Sequence, residues 1–173
     1  SLDKPLEGID IAGNKTVYKY DNFGRTSKVI GPKEIAAGRD YTIMFEYFPY
    51  LSSLPSSANA SATNFMPVAL TKHFDSQNPT NDIETYTFVD GLGRPIQVKK
   101  DIELNTGPSS SPTLVEALTV SGKTKFDAYA RTIESFQPWW EDKTPATQFL
   151  INEYAVTQSS KVEYDELDRA IKS

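Results

Sequence analysis

Four aspartates each carry an arginine four positions downstream: Asp21 with Arg25, Asp90 with Arg94, Asp127 with Arg131, and Asp165 with Arg169. Recurring carboxylates suggest metal ligation or a general acid–base pair, and either requires at least two of them to face one cleft. Their spacing argues for a repeat instead, because successive motif aspartates lie 69, 37 and 38 residues apart and the first interval is close to two of the others. An Asp at the first corner of a β-turn accepts hydrogen bonds from backbone N–H groups that follow it, so each of these residues is explained by a chain reversal. Gly24 and Gly93 stand three places after their Asp, where such a turn requires a left-handed residue. Asp168 tolerates that corner. Ala130 does not, and is expected either to carry about 1 kcal/mol of strain there or to give the third turn another shape.

The other chemistry-bearing residues are sparse. His73 is the only histidine and cysteine is absent, which rules out a two-histidine metal site, a thiolate metal site and any disulfide. Asp101 and Glu103 alternate on one strand face in the manner of a solvated edge. Gly91-Leu92-Gly93 lacks the third glycine and the helix of a phosphate loop. Trp139 and Trp140, beside Pro138 and an acidic stretch, are the residues best suited to stack on a sugar or anchor a protein; the plainer expectation is that they close the end of a sheet. No catalytic residue, metal or cofactor is expected.

The elements that position these residues are strands. Val17 to Tyr20 leads into the first motif and Thr26 to Ile30 leads out. Thr124 to Phe126 and Lys161 to Tyr164 repeat the lead-in with apolar residues or Thr at alternate places. In the second motif Tyr86 and Phe88 are one position out of phase, which implies a bulge near Val89 or aromatics on the opposite face. Tyr41 to Tyr47 and Val68 to Phe74 alternate likewise and supply a further unit, ending in a degenerate Phe74-Asp75. Three segments interrupt the hairpins: Leu51 to Asn64, Asn105 to Pro112, and Gln137 to Thr147. After the last, Thr144-Pro145 is expected to start a short helix near 144–155 carrying Phe149, Leu150 and Tyr154.

Tyr18 to Arg25, Phe88 to Pro95 and Tyr164 to Arg169 resemble the tyrosine-aspartate (YD) repeats of RHS-type proteins, and Val120-Ser121-Gly122-Lys123 resembles a strand-joining turn of that family. The resemblance extends from about residue 15 to the end of the chain. It implies an all-β, antiparallel hairpin array belonging to a shell, as in bacterial RHS and insecticidal toxin-complex proteins, or to an extracellular assembly, as in teneurins. It also implies a secreted or cell-surface location, and the rest of a parent chain as the principal partner. The expected units are 14–32, 40–75, 83–104, 114–138 and 148–173, within one domain that reads as a piece of a larger protein.

Composition agrees with a soluble β-rich domain. Of 173 residues, 38% are hydrophobic and 12% aromatic, and 18 Lys and Arg against 23 Asp and Glu give a net charge of −5. With a pI near 4.9 and no basic cluster longer than Lys99-Lys100, nucleic acid is not an expected partner. No stretch is long and apolar enough to be a membrane span.

Overall fold

A computed structural model describes residues 4–58, 65–151 and 158–172. In chain order the strands are β1 (Glu7–Ile9), β2 (Lys15–Tyr20), β3 (Thr26–Ile30), β4 (Ile43–Phe48), β5 (Val68–His73), β6 (Ile83–Val89), β7 (Pro95–Asn105), β8 (Leu114–Ser121), β9 (Thr124–Phe126), β10 (Thr132–Phe136), β11 (Trp139–Asp142), β12 (Ser159–Lys161), β13 (Glu163–Tyr164) and β14 (Ala170–Lys172). Two short helices join them, α1 (Pro32–Ala36) and α2 (Pro145–Gln148). The fold is all-β, and the strand pairs whose register is resolved are antiparallel.

The chain divides into two compact units, Ser1–Tyr47 with Ala69–Glu84, and Phe48–Val68 with Thr85–Ser173. In the first, strands follow one another in the order β1-β2-β3-β4-β5. In the second, β6-β7-β8-β11 lie side by side, β12-β10-β9 form a small sheet, and β13 pairs with β14.

Register explains the core of the second unit. Lys99 stands opposite Tyr86 on one side and Val120 on the other, and Val120 stands opposite Trp139. Gln97 faces Phe88, and Asp101 lies in one row with Leu118 and Glu141. Directly opposed residues share a sheet face. One face therefore collects Tyr86, Phe88, Gln97, Lys99, Leu118 and Val120, all of them fully buried. The out-of-phase aromatics of the second motif have moved to this face, and the register also shifts between Phe88 and Val89. Phe149 covers the face, edge-on to Phe48 and to Tyr86 with ring centroids 5.3 Å apart in each case.

Several elements differ from expectation. The segment Gln137 to Thr147 contains β11, whose alternating Trp-Trp-Glu-Asp pairs along β8 from Val120 to Ala117. Asp101 is not on a solvated edge, since its side chain is nearly buried and takes a 2.9 Å bond from Lys143, while Glu103 is exposed. Thr144 caps α2 as expected, its hydroxyl accepting from the Thr147 N–H, but the helix ends at Gln148. Phe149 and Leu150 follow it and are buried, and Tyr154 falls outside the described residues. Helix α1 was not anticipated; its signal is Pro32 at the first helical position with Gly38 beyond the end. Of Leu51 to Asn64, the first three residues form a 3-10 turn and 59–64 are outside the described residues.

Candidate functional site

The four motif aspartates sit at four chain reversals built alike. One carboxylate oxygen, Oδ1, accepts from two backbone N–H groups: Phe23 and Arg25 at 2.9 and 2.8 Å for Asp21, Leu92 and Arg94 at 2.9 and 3.0 Å for Asp90. Asp127 and Asp165 repeat the pattern, with all four distances at 2.9 Å. The other oxygen accepts from the motif arginine Nε at 2.7 Å in every turn. The main chain closes the loop, with Asp21 N–H donating to the Arg25 carbonyl and Gly24 N–H to the Asp21 carbonyl, and the same pair recurs in the other turns. The residue before each Arg has positive φ: 75° at Gly24, 77° at Gly93, 66° at Ala130 and 61° at Asp168. Ala130 thus takes the left-handed corner in spite of its Cβ.

A fifth turn of the same build is Asp10 to Asn14, where Oδ1 accepts from Ala12 and Asn14 N–H and Asn14 Nδ2 takes the place of the arginine. Its sequence signal was Asp10 followed three places later by Gly13, which has φ 83°. The degenerate Asp75 keeps one of the two backbone bonds, from Gln77 at 2.8 Å, because Pro79 at the arginine position has no N–H to give.

These bonds fix the charge state. The carboxyls of Asp10, Asp21, Asp90, Asp127 and Asp165 all lie below the usual 3.8. At Asp90 and Asp165 the largest cause is the backbone N–H of the motif arginine; at Asp10 it is the Asn14 side chain. At Asp21 and Asp127 desolvation is the largest single influence and pushes upward, but the arginine contacts and backbone bonds together outweigh it.

The arginines also link one strand to the next, which motif spacing did not disclose. Arg94 lies 3.9 Å from the ring centre of Phe126, Arg131 4.8 Å from Tyr164, Arg25 4.2 Å from Tyr47, and Arg39 4.0 Å from Phe74. Lys4 makes the same contact with Tyr20 at 5.3 Å. Where the ring is a tyrosine, its hydroxyl donates to the carbonyl of the residue after the cation: Tyr20 to Pro5 at 2.8 Å, Tyr47 to Thr26 and Tyr164 to Thr132 at 3.0 Å. The cation in turn reaches the next turn. Lys4 Nζ donates to the Gly24 carbonyl, Arg94 to Ala130 at 3.3 Å, and Arg131 to the Asp165 carbonyl and the Asp168 carboxylate at 3.2 and 2.7 Å. Each rung thus joins a cation to an aromatic ring, and in the rungs of Lys4, Arg94 and Arg131 a turn carbonyl as well.

The remaining candidates do not assemble around these turns. Trp139 and Trp140 are consecutive residues of β11 and point to opposite faces; Trp139 buries its indole N–H without a partner among the described residues, and Trp140 is 54% exposed. His73 is an exposed residue of β5. Among the described residues no three His, Cys, Asp or Glu side chains come together as a metal cluster. A cavity of about 360 Å³ between the third and fourth turns is lined by Tyr129, Arg131, Tyr164 and Asp165, and the polar groups of the last three are already engaged in the rung. Another, of about 330 Å³, is lined by Arg39, Tyr41, Phe74 and Asp82; Tyr41 donates to Asp82 at 2.5 Å, and this bond, with burial second, pushes its hydroxyl up to about 12. A buried ion pair also escaped the sequence reading. Lys99 is fully buried, bonded to Glu141 and to the Thr147 carbonyl, and burial pulls its pKa below the ordinary 10.5 against the opposing pull of Glu141.

No protein-family model matches this chain, and no curated protein matches it. Solved structures do. The crystal structure of TcdB2-TccC3 aligns with TM-score 0.64 at 18% identity, over 97% of this chain and 10% of that one. This chain shares its fold with a stretch of TcdB2-TccC3. TcdB2-TccC3 without the hypervariable C-terminal region gives a TM-score of 0.65 at 15% identity, and TcdB2-TccC3-Cdc42 gives 0.65 at 16%, each over 97% of this chain and 12% of that chain. The chain therefore spans about a tenth of the length of the structures it matches. No described helix is long and apolar enough to cross a membrane.

Proposed function

We propose that this chain is a non-catalytic scaffold segment of a larger RHS/YD-repeat protein, secreted or exposed at a cell surface, where it forms part of a β-shell or stalk. The observation that carries this reading is the rung: the motif Asp and Arg, the residues best equipped for chemistry, have their polar groups committed to closing turns, and Arg25, Arg94 and Arg131 also clamp the next strand. The fold shared with TcdB2-TccC3 and the small share of that chain covered support a part within a longer protein. Repeats that bury one another's faces gain stability from nearest neighbours. The coupling is measurable. Arg131→Ala is expected to speed amide exchange in β13 and β14 as well as in its own turn; exchange confined to residues 127–131 would refute the scaffold reading, as would a well-folded Asp127→Ala variant that had lost a turnover. A glycan-binding reading rests on Trp140, which is exposed on β11. It requires Trp140→Ala to abolish binding on a glycan array without lowering the melting temperature.

A further inference from the structure

The sheet of the second unit has two faces of opposite character. One is the buried face of Tyr86, Phe88 and Lys99. On the other, register sets Trp140 of β11 opposite Thr119 of β8, Thr119 opposite Lys100 of β7, and Lys100 opposite Thr85 of β6. Neighbouring strands lie about 4.8 Å apart, so this row runs for roughly 14 Å across the sheet. The next row on the same face sets Thr87, Val98 and Ser121 side by side. Four hydroxyls, one ammonium and one indole therefore share a face. Trp140 and Lys100 are exposed, and the hydroxyl-bearing residues are half-buried. Among the described residues none of those hydroxyls bonds a protein group and Lys100 meets no carboxylate. Asp142, also exposed, lies on this face in the row beyond Trp140, opposite Ala117.

Threonine and serine suit any solvated strand face, but an indole does not, because it holds a large apolar area in water until something flat covers it. A sugar ring covers it with its C–H face while the hydroxyls on its rim bond Thr, Ser and Asp side chains. Lys100 is the one cation of these rows, and its ammonium is available to an acid group on the same ligand. We infer that this face binds a linear anionic oligosaccharide, with one sugar stacked on Trp140 and a carboxylate or sulfate further along the chain bonded to Lys100. The inference rests on the glycan-binding reading of Trp140 and names the class of glycan and the residue that selects it. Local charge decides the occupant, since the chain as a whole carries −5 and does not attract anions. The turns and rungs use none of these side chains, so the face is free to bind while the array stands.

The test is an array of linear acidic oligosaccharides, each beside its neutral form: oligogalacturonate beside its methyl ester, and heparin fragments beside the desulfated, carboxyl-reduced chain. The protein is expected to bind at least one acidic form about tenfold or more tightly than its neutral counterpart. Lys100→Gln should bring the acidic form down to the neutral level, and Trp140→Ala should abolish both. Thr119→Val, of the same shape, should weaken both by about fivefold. Lys100 and Thr119 hold no protein group with their side chains, so the melting temperatures of their variants should match the parent's. Equal binding of acidic and neutral forms, lost in Trp140→Ala, overturns this inference and leaves the Trp140 reading standing. A preference for the acidic form that survives Lys100→Gln does the same. Binding of no glycan, or binding indifferent to Trp140, strikes both. A dimer in sedimentation that dissociates in Trp140→Ala would assign the face to a second copy and overturn the choice of occupant.

Discussion

Replacing Ala130 by glycine is expected to stabilise the protein, against the usual effect of that substitution. Ala130 holds φ 66° at the third turn, where Gly24 and Gly93 occupy the same corner at 75° and 77°. An L-residue with a Cβ pays about 1–2 kcal/mol in the left-handed region. Glycine removes that strain but gives the unfolded chain more freedom, which offsets about 0.4–1 kcal/mol. The net gain is about 1 kcal/mol, because Ala130 is exposed and its methyl packs on nothing that the change would lose. The backbone bonds of the corner, from Ala130 N–H to the Asp127 carbonyl and from Arg94 to the Ala130 carbonyl, do not involve the side chain. Ala128, two residues earlier and also exposed, has no positive φ and serves as the internal control. Ala128→Gly should cost about 0.4–1 kcal/mol. The inverse change, Gly93→Ala, meets no atom within 4 Å and should cost about 1 kcal/mol through conformation alone. In thermal unfolding followed by circular dichroism, about 1 kcal/mol corresponds to roughly 2–4 °C for a chain of this size. If Ala130→Gly melts no higher than Ala128→Gly, the strain argument at this corner is wrong.

Three further outcomes follow from the same geometry. The turn aspartates are held charged below their ordinary 3.8, so the stability they contribute is complete well above that pH and is lost as pH falls through the lowered folded values; urea midpoints of Asp127→Asn and the parent should differ at pH 6 and converge toward pH 2. Lys99→Met leaves Glu141 buried without its lysine and is expected to cost about 3–5 kcal/mol, whereas Lys99→Met with Glu141→Leu should recover most of it in equilibrium unfolding. Gln97 is fully buried with neither carboxamide atom bonded to protein among the described residues, so Gln97→Met, of similar volume, should be neutral or stabilising by up to about 2 kcal/mol, and a clear loss of stability in the same assay would show that the amide is satisfied.

The turns were legible in the sequence because their chemistry is local. Asp, the left-handed corner and Arg lie within five residues, and the carboxylate bonds its own backbone, so spacing alone discloses the geometry. Asp10 went unread because Asn14 replaces the arginine, although it makes the equivalent side-chain bond at 2.8 Å. Strand β11 went unread for a different reason. Its four residues alternate too briefly to be told from a loop, and what makes them a strand is β8, distant in sequence, which offers Val120 to Ala117 as partners. Lys99 and Asp101 were illegible on the same ground: a charged residue alternating on a strand looks solvated unless Glu141 and Lys143, more than forty residues on, are known to cover it.

The rungs explain a feature of the motif that turn chemistry alone does not. Nothing in the Asp turn requires an aromatic before it, since the carboxylate bonds only backbone and arginine. Yet Tyr20, Phe74, Phe126 and Tyr164 all precede an Asp, and each lies beneath a cation from the neighbouring strand. Val89 is the exception among the four full motifs, and among the described residues no cation of this ladder stands over it. The aromatic therefore belongs to the contact between repeats and the Asp to the turn within one, each rung contributing about 0.5–1 kcal/mol at a half-exposed site. Phe74 separates the two roles most clearly. Its Asp75 turn has lost the arginine and one backbone bond to Pro79, but Arg39 still sits 4.0 Å from its ring. A repeat can thus lose its turn chemistry and keep its ring beneath the neighbouring cation, so the two parts of the motif are separable.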